Sequence, residues 1–134
     1  MHAAADFSEQ LAGMQQAMHE GKILSWGLSN ETPWGICKAI QVAHEMGIPG
    51  PKMVQNAYNM LCRVADIGVA EVCALESIPF VGYSPLAMGL LGGEYGVGED
   101  GQWSGSVQKR LVRYRHKYSE AESRCAASQK LVKV

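Results

Sequence analysis

Two hydrophobic periods alternate along the chain. Phe7, Leu11, Met14 and Met18 recur at helical spacing on one face. Asp6 is placed to cap that helix, with Glu9 at the capping-box position. Gly21 supplies a left-handed stop. The run Ile23-Leu24-Ser25-Trp26-Gly27-Leu28 then reads as a buried strand ending at Ser29-Asn30. Thr32 can cap a second helix, with Pro33 in the first turn, where proline is favoured. Ile36, Ile40 and Ala43 form its apolar face. Gly47 ends it, and Pro49 and Pro51 forbid continuation. A short strand over residues 52–55 ends in Gln55-Asn56. A third helix is predicted over 66–77. Its apolar positions (Ile67, Val69, Val72, Cys73, Leu75) cover more than one face and predict deep burial. Ile78 to Tyr83 reads as a strand with Pro79 at its start, stopping at Ser84-Pro85.

The order is therefore α-β-α-β-α-β. Strand ends near residues 29, 55 and 83 give a repeat of about 27 residues, which suits β/α units on a parallel sheet. Strands that are apolar throughout imply burial on both faces. An open doubly wound sheet and part of a β/α barrel both satisfy the pattern. A complete eight-unit barrel takes ~250 residues, and this chain has 134. Beyond Leu91 the pattern dissolves. The reading divides the chain into a β/α body over 1–95, a flexible glycine-rich loop over 96–106, and a basic tail over 107–134. A helix capped by Ser119, with Glu122 at the capping-box position, is predicted inside that tail.

Charge sharpens the last boundary. Residues 1–106 carry −7 and residues 107–134 carry +6, within a total of −1. The basic stretch Lys109, Arg110, Arg113, Arg115 and Lys117, interleaved with Tyr114, could grip phosphate or nucleic acid. A solvated helix face or a frayed tail is the favoured reading, neutralisation of the acidic body is a third, and nucleic acid is disfavoured. Apolar residues make up 47% and charged residues 19%, which excludes a disordered chain. No apolar run approaches the ~18 residues of a membrane helix. Met1 to Asp6 carry neither the basic nor the apolar region of a secretory signal. The four cysteines form no Cys-x-x-Cys pair and have no histidine at zinc-site spacing, so they read as reduced thiols with no metal. The methionines read as core filler, and Trp26 and Trp34 as core or pocket wall.

Ligands of parallel β/α folds bind at the C-terminal strand ends. Those ends here are Ser29-Asn30, Gln55-Asn56 and Tyr83-Ser84. They hold no carboxylate, lysine or histidine, and so lack a general acid or base. Side-chain amides can pair with a carboxamide, and a tyrosine face can stack on a flat ring. Such ends suit an amide-bearing ring. The plainer alternative is that strands end in polar residues because turns are polar.

These same residues carry a family resemblance. Gly21-Lys22-Ile23-Leu24-Ser25-Trp26-Gly27-Leu28-Ser29-Asn30 resembles the fifth-strand signature of the aldo-keto reductases. Val54-Gln55-Asn56-Ala57-Tyr58-Asn59 resembles their sixth strand. Val81-Gly82-Tyr83-Ser84-Pro85-Leu86-Ala87, followed by Gly89 to Tyr95, resembles their seventh strand and its loop. The stretch from Trp26 to Gly35 is most similar to the Tas-like members, relatives of potassium-channel β subunits. The three motifs span about residues 7–95.

The resemblance implies a partial (β/α)8 TIM barrel that binds NADP(H) at its strand ends. It implies that Ser29, Asn30 and Gln55 hold the nicotinamide carboxamide, that Tyr83 stacks on the ring, and that Ser84, Pro85, Leu86 and Ala87 contact the diphosphate. The implied activity is reduction of a small carbonyl substrate by hydride transfer. The family's Asp, Tyr, Lys and His tetrad comes from earlier strands and has no counterpart among these residues. The chain then reads as a fragment about three strands long that would self-associate or complement another chain. The alternative is a non-catalytic nucleotide-binding or protein-interaction module derived from a truncated barrel. The implied location is cytoplasmic, with a plastid left open.

Overall fold

The computed structural model describes residues 7–87 and Leu91. Within them the order is α1 (Phe7–His19), β1 (Leu28–Ser29), α2 (Pro33–Glu45), β2 (Val54–Ala57), α3 (Val69–Leu75) and β3 (Phe80–Tyr83), with a 3-10 turn at Val64–Ile67 before α3. The expected cap at Asp6, the loop over 96–106 and the basic tail with its helix lie outside the described residues. The strands form one sheet in the order β1-β2-β3. β1 and β2 are parallel, with Leu28 opposite Val54 and Ser29 opposite Gln55. Val54 N–H donates to the Pro79 carbonyl at 3.0 Å and Tyr58 N–H to the Tyr83 carbonyl at 3.2 Å, so β3 runs the same way beside β2. A partial parallel β/α sheet that does not close is thus the observed architecture.

All three helices end by the same device. In α1, Gly21 N–H donates to Met18 O at 3.0 Å and Lys22 N–H to Ala17 O at 2.9 Å. In α2, Gly47 pairs with His44 at 3.1 Å and Ile48 with Ala43 at 3.0 Å. In α3, Ser77 pairs with Ala74 at 3.3 Å and Ile78 with Cys73 at 2.8 Å. This Schellman pattern needs a left-handed residue, and Gly21, Gly47 and Ser77 have φ of +69°, +66° and +55°. At the other end of α2, Thr32 Oγ accepts the Gly35 N–H at 3.0 Å and Pro33 opens the helix, as expected.

Several expectations change. The strand predicted over 23–28 contracts to Leu28–Ser29. The α1 ending consumes the first residues of that run, with Ile23 N–H still donating to Ala17 O at 3.4 Å, and Leu24 is 98% exposed. The helix predicted over 66–77 breaks at Gly68, whose φ of +127° no other residue adopts easily. A Cβ there would also stand 3.0 Å from Pro33. Val69 and Cys73 are buried, whereas Ile67 and Leu75 are exposed, so α3 buries one face only. Flanking strands β1 and β3 are at most half-buried, because an open sheet covers its middle strand best. Trp26 is core, as expected, while Trp34 is 65% exposed.

The chain divides into two compact units, Met1–Asn56 with Asp66–Val81, and Ala57–Ala65 with Gly82–Val134. The first holds a core of Leu11, Trp26, Ala39, Val42, Ala43 and Ile48, joined by Phe7, Met18, Leu28 and Met46. Trp26 satisfies its indole N–H on the Pro49 carbonyl at 2.8 Å. Ile36 is fully buried on α2. No helix among the described residues is long and apolar enough to cross a membrane.

Two outcomes follow. Ile36→Ala should cost about 2–5 kcal/mol, read from urea denaturation with an unchanged m value. Of the free cysteines described, Cys37 is exposed and Cys62 and Cys73 are buried, and burial pushes the Cys73 thiol up. Thiolate is the reacting form. Iodoacetamide at pH 8, mapped by mass spectrometry, should alkylate Cys37 and spare Cys62 and Cys73 until guanidinium is added.

Candidate functional site

The end of β1 is built by backbone pairing with β2. Asn30 N–H donates to the Gln55 carbonyl at 2.8 Å. One step further the ladder continues through a side chain. Glu31 N–H donates to Asn56 Oδ1 at 3.2 Å, and Asn56 Nδ2 donates to the Glu31 carbonyl at 2.8 Å. The Asn56 carboxamide thus substitutes for the next peptide of a neighbouring strand. This fixes the chain where Asn30 turns left-handed, at φ +57°, a region asparagine tolerates better than most residues.

Ser29 and Asn30 are exposed and Gln55 is half-buried. Asn30 Nδ2 donates to Ser29 Oγ at 3.3 Å. The Gln55 side-chain amide, which carries one acceptor and two donors, makes no hydrogen bond among the described residues. Glu31, next in sequence, turns its carboxylate back on its own helix. It accepts the Thr32 N–H at 2.8 Å and the Thr32 hydroxyl at 3.3 Å. There the positive end of the α2 dipole favours it. Gly35 lies beneath this carboxylate, where a Cβ would collide with it.

The second unit holds the other predicted residues. Tyr83 is half-buried at the end of β3. Gly82 beside it makes room for Tyr58, whose Cβ lies 3.1 Å from where a Gly82 Cβ would stand. The Arg63 guanidinium covers the Tyr58 ring at 4.4 Å. Ser84 to Ala87 form a tight turn, with Ala87 N–H donating to Ser84 O at 2.9 Å. Ser84 and Ala87 both take positive φ, at +55° and +48°. The buried Asn59 anchors this turn. Its Nδ2 donates to the Ser84 carbonyl at 2.8 Å, while its Oδ1 accepts Leu61 N–H at 2.9 Å and Cys62 N–H at 3.0 Å.

Ser29, Asn30 and Gln55 are therefore brought together at the β1 and β2 ends of the first unit. Tyr83, Ser84, Pro85, Leu86 and Ala87 follow one another along β3 and its turn in the second. The roles of Asn56 and Asn59 went unread in the sequence, although both lie inside the motif Val54 to Asn59. Their signal is spacing: each reaches a partner 25 residues away, close to one β/α repeat. Among the described residues no three His, Cys, Asp or Glu side chains gather as a metal site.

The sequence profile of the aldo/keto reductase family matches residues 2–134. The chain belongs to the aldo/keto reductase family. The match runs through the basic tail as well as the three motifs. An aldo-keto reductase of Babesia bovis is 42% identical over 90 residues, which cover 65% of this chain and 32% of the relative. Protein tas of Escherichia coli is 33% identical over 92 residues, 69% of this chain and 27% of the relative. Aflatoxin B1 aldehyde reductase member 2 of Rattus norvegicus is 32% identical over 87 residues, 65% of this chain and 24% of the relative. The aligned part of this aldo/keto reductase chain thus spans a third or less of these relatives.

The Asn56 clamp is directly testable. Asn56→Ala strips both partners from the Glu31 peptide and should cost about 1–3 kcal/mol in urea denaturation. Asn56→Asp keeps the acceptor, loses the donor and should fall between. A loss for Asn56→Ala within the ±0.5 kcal/mol of an ordinary surface change would mean that Asn56 does not clamp the end of β1.

Proposed function

We propose that this chain carries the nicotinamide-holding and diphosphate-holding residues of an NADP(H)-dependent carbonyl reductase. The observation that carries the reading is the placement of a half-buried Gln55 carboxamide, with no hydrogen bond among the described residues, beside Ser29 and the left-handed Asn30 on neighbouring strand ends. That donor and acceptor set fits a carboxamide, which needs one of each. In this reading Ser29, Asn30 and Gln55 orient the nicotinamide amide. Tyr83 offers a ring face to the nicotinamide. Ser84, Pro85, Leu86 and Ala87 receive the diphosphate.

When bound, the cofactor supplies the hydride for an aldehyde or ketone; the protein supplies orientation. None of Ser29, Asn30, Gln55 or the turn residues is an acid or base, so these residues bind rather than exchange protons. The catalytic tetrad belongs to a complementary part of the enzyme, and the chain alone is inactive in this proposal. Free cysteines at 37, 62 and 73 support a reducing, cytosolic setting.

A second reading, a non-catalytic interaction module, is favoured by the apolar exposure of Leu24 at 98%, Ile67 at 83% and Leu75 at 77%. Titration separates the two. NADPH should quench the tryptophan fluorescence of the chain saturably. Tyr83→Ala should weaken binding about 3- to 10-fold, the worth of one ring stack. Gln55→Ala should weaken it by a similar factor. A folded chain that binds no NADPH and elutes as a dimer would support the interaction module instead.

A further inference from the structure

Asn59 is the buried polar side chain among the described residues, 6% exposed, and nothing in the cofactor reading uses it directly. We infer that Asn59 is a positioning residue for the diphosphate, acting by locking the Ser84–Ala87 turn; this rests on the cofactor reading above. Two N–H groups, from Leu61 and Cys62, face Oδ1 and fix which way the amide points. Reciprocal bonds between the Asn59 and Cys62 backbones, both 3.1 Å, hold the residue itself in place. Nδ2 is thereby committed to the Ser84 carbonyl.

That carbonyl has two donors, Asn59 Nδ2 at 2.8 Å and Ala87 N–H at 2.9 Å. Both lone pairs are engaged, and the peptide is held with its oxygen facing Asn59. The turn needs this, because Ser84 and Ala87 both stand in the left-handed region that L residues avoid. Pro85 has no N–H, and Ala87 spends its own on Ser84. The Ser84 hydroxyl and the Leu86 amide remain as donors to an anion. Release of the Ser84 carbonyl would let the turn relax to negative φ and carry those donors away. It would also free a carbonyl oxygen to face the diphosphate. Asn59 is buried, and its effect on the anion passes through the Ser84–Ala87 turn.

The test uses Asn59→Ser in the 134-residue chain. Serine keeps a short hydroxyl acceptor for the Leu61 and Cys62 amides, adds no charge, and cannot reach Ser84. Amide hydrogen exchange by NMR reads the turn without cofactor. Ala87 should exchange about tenfold faster, while Val54, bonded to Pro79 in the other unit, keeps its rate. Fluorescence titration reads the ligand. The NADPH Kd should rise about tenfold, and that of reduced nicotinamide mononucleotide, which lacks the diphosphate, should change less than twofold. Asn59→Asp, close in shape, repeats the exchange measurement should the serine variant fold poorly. Unchanged Ala87 exchange, or an unchanged NADPH Kd with wild-type chain that binds, overturns the inference. A wild-type chain that binds no NADPH overturns the cofactor reading, and the diphosphate role with it, even where Ala87 exchange responds.

Discussion

Where a parallel strand ends, its backbone loses its ladder partner, and the groups left over must be satisfied without a further strand. In this chain two asparagine side chains meet that demand. Asn56 closes both backbone groups of Glu31, and Asn59 holds the Ser84 carbonyl. An amide side chain is suited to the task because it carries the same donor and acceptor as a peptide. Each stands on or just after β2 and reaches 25 residues, one toward the loop after β1 and one toward the loop after β3. The residues at and just after the end of β2 thereby hold two loops, one within each unit.

This support explains where the backbone is strained. Among the described residues, three of the four non-glycine residues with positive φ are Asn30, just after β1, and Ser84 and Ala87, in the turn after β3. Each such residue costs of order 1 kcal/mol and persists only where neighbours over-determine it. Asn30 is pinned by Gln55 before it and by the clamped Glu31 after it. Ser84 is pinned by Asn59 and Ala87. The fourth, Ser77, is explained by helix termination, since it fills the glycine position of a Schellman ending. Strain that is not a helix end thus coincides with the residues proposed to meet the cofactor.

Much of this fold was legible from pattern alone. Alternating helical and extended periods revealed a parallel β/α order, and Thr32, Pro33, Gly21 and Gly47 marked helix ends that the structure keeps. What pattern could not reveal was how residues serve two elements at once. The run from Ile23 to Leu28 is apolar enough for a strand, yet its first members complete the turn that ends α1, and Leu24 lies in solvent. The 66–77 stretch has helical periodicity throughout, but Gly68 packs against Pro33 in a conformation that breaks it. Ser77 ends α3 as a glycine would, and a serine carries no stop signal. The candidate residues at the strand ends were legible because polarity changes abruptly there. Their supports were not, because a hydrogen bond from Asn59 to a carbonyl 25 residues away leaves no local periodicity to read.

The chemistry of the strand ends follows from the same economy of neutral groups. Lys22 and Gln16 hold the Glu20 carboxyl below its ordinary pKa, and burial raises the Cys73 thiol. Neither stands at a strand end. The carboxylate next in sequence to Asn30, Glu31, is turned onto the start of α2, where the Thr32 N–H and hydroxyl and the helix dipole hold it. An ionised group beside Gln55 would compete for the amide's donors and bias the site toward a charged ligand. Keeping Glu31 engaged elsewhere leaves Ser29, Asn30 and Gln55 to act as uncharged hydrogen-bonding groups. Under the proposed cofactor reading, selectivity for a carboxamide over a carboxylate rests on hydrogen-bond complementarity, because a carboxylate offers no donor to the Gln55 carbonyl.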